Sequence, residues 1–122
     1  TLMAIKSSGA LAGVAVNPAT PLSDIEEALG FADYILIMSV NPGFGGQRFI
    51  SPALGKVRRL RRMIDDGGLD VKIEIDGGVD LNNIAEIVAA GAEILVAGSA
   101  IFGAADPQEA TRLMREATVE WV

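Results

Sequence analysis

A chain of 122 residues is the size of one ordinary domain; half of it is hydrophobic but only 5% aromatic, so the core has to be built from Ile, Leu, Val and Ala, as in strands covered by helices. Ten basic residues against 16 acidic ones leave a net charge of −6, which argues against nucleic acid and anionic membranes as partners, because basic charge holds both. There is no Cys and no His, which removes disulfides, thiolate and imidazole metal ligands, and the commonest general base.

No apolar stretch reaches the ~18 residues needed to span a bilayer, and no leader-like charged, apolar and cleavage regions open the chain. A cytoplasmic protein is the expectation. The first residue is Thr1 rather than Met and leads straight into a helical segment, so the expectation is also a piece of something longer.

Residues 2–8 are a short helix candidate, and residues 12–16 a strand ended by Asn17-Pro18. Thr20 then offers an N-cap with Pro21 at the first helical position; Ile25, Ala28 and Leu29 lie at helical spacing, and Gly30 suits the end. Residues 34–40 are the second strand, followed by Asn41-Pro42-Gly43-Phe44-Gly45-Gly46-Gln47. Ser51-Pro52 opens a helix whose apolar stripe is Leu54, Val57, Leu60, Met63 and Ile64, with Arg58, Arg59, Arg61 and Arg62 read as its solvated face and Gly67-Gly68 as its end. Residues 71–75 are the third strand, running into Asp76-Gly77-Gly78. Asn82 or Asn83 caps a helix carrying Ile84, Ile87 and Val88 and ended by Gly91. Residues 92–97 are the fourth strand, and Gly98-Ser99 opens one helical turn at 100–102. Asp106-Pro107-Gln108-Glu109 resembles a capping box and starts a last helix with Leu113, Met114 and Ala117 inward.

Strands alternating with helices imply parallel pairing and right-handed crossovers. Two architectures fit, a small doubly wound open sheet and half of a (β/α)8 barrel. A full barrel has eight strands in ~250 residues, and its phosphate site commonly lies between the loops after its last two strands. Glycine-rich loops after three separate strands fit a barrel mouth better than the single phosphate loop of a doubly wound sheet. The fold class is therefore α/β, four parallel β/α units forming half of a TIM-type barrel, with residues 1–122 as a single segment.

Glycines let backbone N–H groups approach an anion closely. Each loop alone reads as an ordinary turn, whereas the three together read as a phosphate cradle. Asp76 ends a strand between Ile73, Ile75 and a Gly-Gly turn, a costly place for an acid unless it is paired or used. It reads equally as a proton-transfer group, a metal ligand or a turn former. Met38 reads first as core, and Asn17 and Ser39 as possible polar contacts near strand ends.

At these residues the chain resembles the ribulose-phosphate 3-epimerase family. The resemblance runs from Gly13-Val14-Ala15-Val16-Asn17-Pro18 through Met38-Ser39-Val40-Asn41-Pro42-Gly43-Phe44-Gly45-Gly46-Gln47-Arg48-Phe49, its most specific stretch, to Glu74-Ile75-Asp76-Gly77-Gly78 and Val96-Ala97-Gly98-Ser99-Ala100-Ile101-Phe102. It covers essentially the whole chain and corresponds to the C-terminal half of the family's phosphate-binding barrel. It implies an isomerase that interconverts D-ribulose 5-phosphate and D-xylulose 5-phosphate through two opposed carboxylates, with a divalent metal, often zinc, at the enediolate. It implies that Asp76 is one acid/base residue and a metal ligand. It also implies that Gly43, Phe44, Gly45, Gly46, Gly77, Gly78, Gly98 and Ser99 line the sugar phosphate, with Met38 beside the enediolate.

The family's remaining metal ligands, two His and an Asp that is the partner acid/base, come from the other half of its barrel. With no His here, the isolated chain is expected to be inactive. The competing reading is a non-catalytic half-barrel that binds phosphate and associates with itself, since an open half-barrel exposes strand edges. A homo-oligomer is the expectation.

Overall fold

The computed structural model describes residues 1–39 and 52–119. The elements are α1 (Leu2–Ser7), β1 (Gly13–Val16), the 3-10 helix η1 (Leu22–Gly30), β2 (Tyr34–Met38), α2 (Pro52–Asp66), β3 (Lys72–Asp76), α3 (Ile84–Ala90), β4 (Ile94–Val96), α4 (Gly98–Phe102) and α5 (Pro107–Val119). All strand pairs are parallel, and the sheet order is β1-β2-β3-β4. A doubly wound sheet reverses its strand order at a switch point. This order never reverses, so the half-barrel is the architecture formed.

Strand side chains alternate between two faces. Ile35 and Ile37 of β2 and Ile73 and Ile75 of β3 are 0% exposed, and Val16 of β1 lies in the same buried layer. The helices seal that layer with Leu22, Ile25 and Leu29 from η1, Val57, Leu60 and Ile64 from α2, Ile84 and Ile87 from α3, and Met114 from α5. The opposite face carries Ala15, Tyr34, Leu36, Met38, Glu74, Asp76, Ile94 and Val96, none of them fully buried. In a closed barrel this second face looks inward.

The helix over 22–30 forms with 3-10 geometry, and Thr20 does not cap it. Pro21 occupies the cap position without a side-chain bond, while the Thr20 hydroxyl accepts from the Asn17 N–H at 3.3 Å and tightens the turn after β1. The last helix turns differently from expectation. Met114 is buried, but Leu113 is 38% exposed, because the inward row is Ala110, Met114 and Ala117. Its start keeps one half of the expected capping box, Asp106 Oδ1 accepting the Glu109 N–H at 3.2 Å, while the Glu109 carboxylate pairs with Arg112. Ser51, the expected cap of α2, lies outside the described residues.

Two glycines are dictated by this packing. Gly91 ends α3 at φ 122°, and a Cβ there would lie 2.6 Å from the Arg61 side chain. Gly13 lies under the Tyr34 ring, where a Cβ would fall within 2.4 Å. At the N-terminal edge of the sheet, Arg61 pairs with Asp65 and Glu93, and Lys72 reaches Glu93 at 3.4 Å. These exposed and half-exposed pairs tie α2, β3 and the start of β4 together, and each is worth little alone.

Candidate functional site

Parallel strands bring their C-terminal ends to one edge of the sheet, so the loops after all four strands gather there. Asp76 is the last residue of β3 and points to the open face, since its neighbour Ile75 faces the helices. In register, Met38 stands beside it on β2 and Val96 on β4. One layer below, Ala15, Leu36, Glu74 and Ile94 form the next row. The Asp76 carboxylate thus has an apolar neighbour on each flanking strand, and it makes no hydrogen bond or ion pair among the described residues. A turn-forming Asp would bond to the backbone beyond it; here that work falls to other side chains.

Ser39, fully buried, follows β2 and clamps the turn from one side. Its N–H donates to the Asp76 carbonyl at 2.9 Å, and its hydroxyl donates to the carbonyls of Asp76 at 2.9 Å and Gly77 at 2.5 Å. Asn83 clamps the other side, its amide donating to the Gly78 carbonyl at 2.9 Å while its Oδ1 accepts from the Asp80 N–H at 2.9 Å. Asn83 stands at the cap position of α3 but makes no side-chain cap bond, because the oxygen that would accept one is taken by the Asp80 N–H. Gly77 and Gly78 have φ of 123° and 70°, so the backbone itself requires glycine at both.

Gly98 differs. It opens α4 without a positive φ, and a Cβ there would meet nothing within 4 Å among the described residues. Neither conformation nor internal packing calls for a glycine, and both Gly98 and Ser99 are exposed at the site edge. Gly43, Phe44, Gly45 and Gly46 lie outside the described residues. Of the residues expected at the site, Met38, Asp76, Gly77, Gly78, Gly98 and Ser99 lie at this C-terminal edge of the sheet.

A zinc site takes four protein or water donors in tetrahedral array. No group of three or more carboxylate, His or Cys side chains is assembled among the described residues. These residues alone do not fit a divalent metal. Asp76 supplies a single carboxylate.

Two residues escaped the sequence reading. Glu74 shares the open face with Asp76, two positions back along β3. Lys56 of α2 is only 7% exposed, and its ammonium donates to the carbonyls of Asn17 at 3.2 Å, Pro18 at 2.9 Å and Thr20 at 2.7 Å. The signal for Lys56 was available: it stands three residues after Ala53 and four before Leu60, on the buried stripe rather than among the exposed arginines.

Among the described residues, no helix is long and apolar enough to cross a membrane. Residues 1–102 match the family described as "Ribulose-phosphate 3 epimerase family". The chain is 57% identical over 106 residues to ribulose-phosphate 3-epimerase of Serratia marcescens, covering 87% of this chain and 50% of that protein. It is 54% identical over 115 residues to the enzyme of Escherichia coli K12, covering 94% and 51%, and 54% identical over 112 residues to the chloroplastic enzyme of Arabidopsis thaliana, covering 92% and 40%. The chain therefore spans about half the length, or less, of these curated relatives. In fold it is similar to 3-hexulose-6-phosphate synthase from Salmonella typhimurium, with a TM-score of 0.72 at 21% identity over 99% of this chain and 55% of that one. It is also similar to thiamine phosphate pyrophosphorylase from Pyrococcus furiosus, with a TM-score of 0.58 at 21% identity over 100% and 66%. These neighbours are TIM-barrel enzymes, and on sequence the chain belongs to the ribulose-phosphate 3-epimerase family.

Proposed function

We propose that this chain forms the C-terminal, phosphate-binding half of a ribulose-phosphate 3-epimerase, interconverting D-ribulose 5-phosphate and D-xylulose 5-phosphate once the barrel is completed. The observation that carries the reading is Asp76, an unpaired carboxylate among the described residues, held between Met38 and Val96 at the C-terminal edge of the sheet. Epimerisation beside a ketone breaks a C–H bond to leave an enediolate, then returns a proton to the opposite face. A carboxylate on a rigid strand, with its turn fixed by Ser39 and Asn83, is suited to one of those transfers. The second transfer requires an acid facing Asp76 from across the barrel, beyond the described residues. Family resemblance implies a divalent metal, zinc, for which this chain would offer Asp76 as one ligand, the other donors coming from outside it; the proton transfer assigned to Asp76 does not depend on it. The phosphate is assigned to the loops of Gly43, Phe44, Gly45 and Gly46, of Gly77 and Gly78, and of Gly98 and Ser99. The open space at Gly98 supports its part in this.

The isolated chain is inactive on this reading, because it carries no His and, among the described residues, Asp76 is the one carboxylate at the C-terminal end of a strand. A second reading, a self-associating half-barrel that binds a sugar phosphate without turnover, draws on the incompletely covered face of Leu36, Met38, Ile94 and Val96. The intact protein is placed in deuterium oxide with ribulose 5-phosphate. Solvent deuterium entering at carbon 3, lost in Asp76→Asn, is the expected result. Sugar-phosphate binding with no exchange at any metal loading would refute the enzyme and favour the second reading.

A further inference from the structure

Lys56 is the one buried cation among the described residues, and the chemistry above makes no use of it. Its three acceptors belong to one turn, residues 17–20, which leaves the C-terminal end of β1 at the site edge. The turn is already closed on itself, the Thr20 N–H donating to the Asn17 carbonyl at 3.0 Å. That closure points the carbonyls of Asn17, Pro18 and Thr20 at a single spot. Only a protonated amine has three N–H donors on one atom. Burial, and after it the charge of Arg59, pulls the Lys56 pKa below the ordinary lysine value, so the carbonyl cradle is what favours the charged form.

We propose that Lys56 is a positioning residue, an ammonium tether that locks the turn after β1 to the start of α2 so that the site's loops keep a fixed spacing for the sugar phosphate. The proposal rests on the epimerase reading for its substrate, but not for the tether. Lys56 stands near the start of α2, the helix that follows the chain segment between β2 and α2. A shift of α2 against β1 therefore changes the distance between two loop anchors without touching Asp76. Arginine is no substitute, since its planar fork cannot place three donors on one point.

The test uses the intact protein with Lys56→Met, which keeps the stem and removes the donors, and Lys56→Ala, which leaves the cradle open to added ethylammonium. Lys56→Met is expected to raise KM for ribulose 5-phosphate about tenfold with kcat within about twofold, the signature of lost binding rather than lost chemistry. The Thr20 amide should exchange faster than the amides of β2 and β3. In Lys56→Ala, ethylammonium should restore both KM and Thr20 protection. An unchanged KM would overturn the proposal. So would a uniform rise in exchange, with kcat and KM degraded together and no recovery in ethylammonium, because that is a merely structural lysine. If the parent protein shows no epimerase turnover, the functional reading fails. The tether is then judged on Thr20 exchange and its reversal alone, and unchanged exchange overturns it.

Discussion

Replacing Ser39 by Ala tests whether the Asp76 turn is held as described. The side chain is 0% exposed, so its hydroxyl exchanges no protein bond for water. The Asp76 carbonyl would keep its bond from the Ser39 N–H at 2.9 Å. The Gly77 carbonyl accepts from no other group among the described residues, and it would be left without a partner. Losing one net hydrogen bond costs about 0.5–1.5 kcal/mol, and stranding a buried acceptor about 1–3 kcal/mol. Alanine is smaller and adds no clash; the two ranges bracket the same lost contact, and with Gly77 half-buried the cost is about 2 kcal/mol, or roughly a thirtyfold fall in the folding constant. For a domain of this size the melting temperature should drop by roughly 6–10 °C. Urea unfolding followed by circular dichroism should show a lower midpoint at an unchanged slope, and amide exchange should rise first at Gly78 and Val79. A midpoint equal to the parent's would refute the clamp. A changed slope would place the effect in the unfolded chain instead.

Gly98→Ala should separate binding from stability. No described atom blocks the new methyl, and alanine exceeds glycine as a helix former by about 1 kcal/mol, so the melting temperature should hold or rise while ribulose 5-phosphate affinity, read by calorimetry, falls. Gly91→Ala should destabilise by about 1–3 kcal/mol through its positive φ and the displaced Arg61 side chain, with Arg61→Ala in the same chain recovering part of the loss in thermal melts. Leu36→Glu on the open face should leave the helical signal intact but shift sedimentation toward smaller species, since a charge facing a covering surface costs several kcal/mol when buried unpaired. Retained assembly in Leu36→Glu would show that this face is not the one covered.

Much of the fold was legible because glycine and proline punctuate every element and the strands are short apolar runs. Strand existence followed from that, the sheet order only from the three glycine-rich loops that favoured a barrel over a doubly wound sheet, and Asp76, Gly77 and Gly78 fell where a strand-to-loop reading puts them. Three details failed because a side chain taken for one role serves another, Thr20 by reaching back along the chain instead of forward and Asn83 and Lys56 by reaching farther than a cap or a solvated charge would. Thr20 and Asn83 look like helix caps, and a cap is a contact within three residues. Here Thr20 closes the turn after β1, while Asn83 reaches the Gly78 carbonyl, five residues back. Lys56 was hidden among arginines because charge in a helix usually means solvent, yet its acceptors lie 36 to 39 residues earlier in the chain.

The open face was illegible for a different reason. β2 reads Tyr-Ile-Leu-Ile-Met, apolar at every position, as expected of a parallel strand covered on both sides. No alternation in that string tells which residues meet the helices and which look the other way. The register does so, by setting Leu36 and Met38 in line with Glu74 and Asp76 on β3. On a face finished by solvent, Leu36 and Met38 would be polar. On a face finished by ordinary core, Glu74 and Asp76 would be apolar. Apolar and acidic side chains in the same rows are what a surface needs when it is covered by protein at the base and opens on a reactive cavity at the rim. On the epimerase reading proposed for this chain, Asp76, in the outermost row, faces the cavity, and Glu74, one row deeper, meets a polar or cationic group on the covering surface.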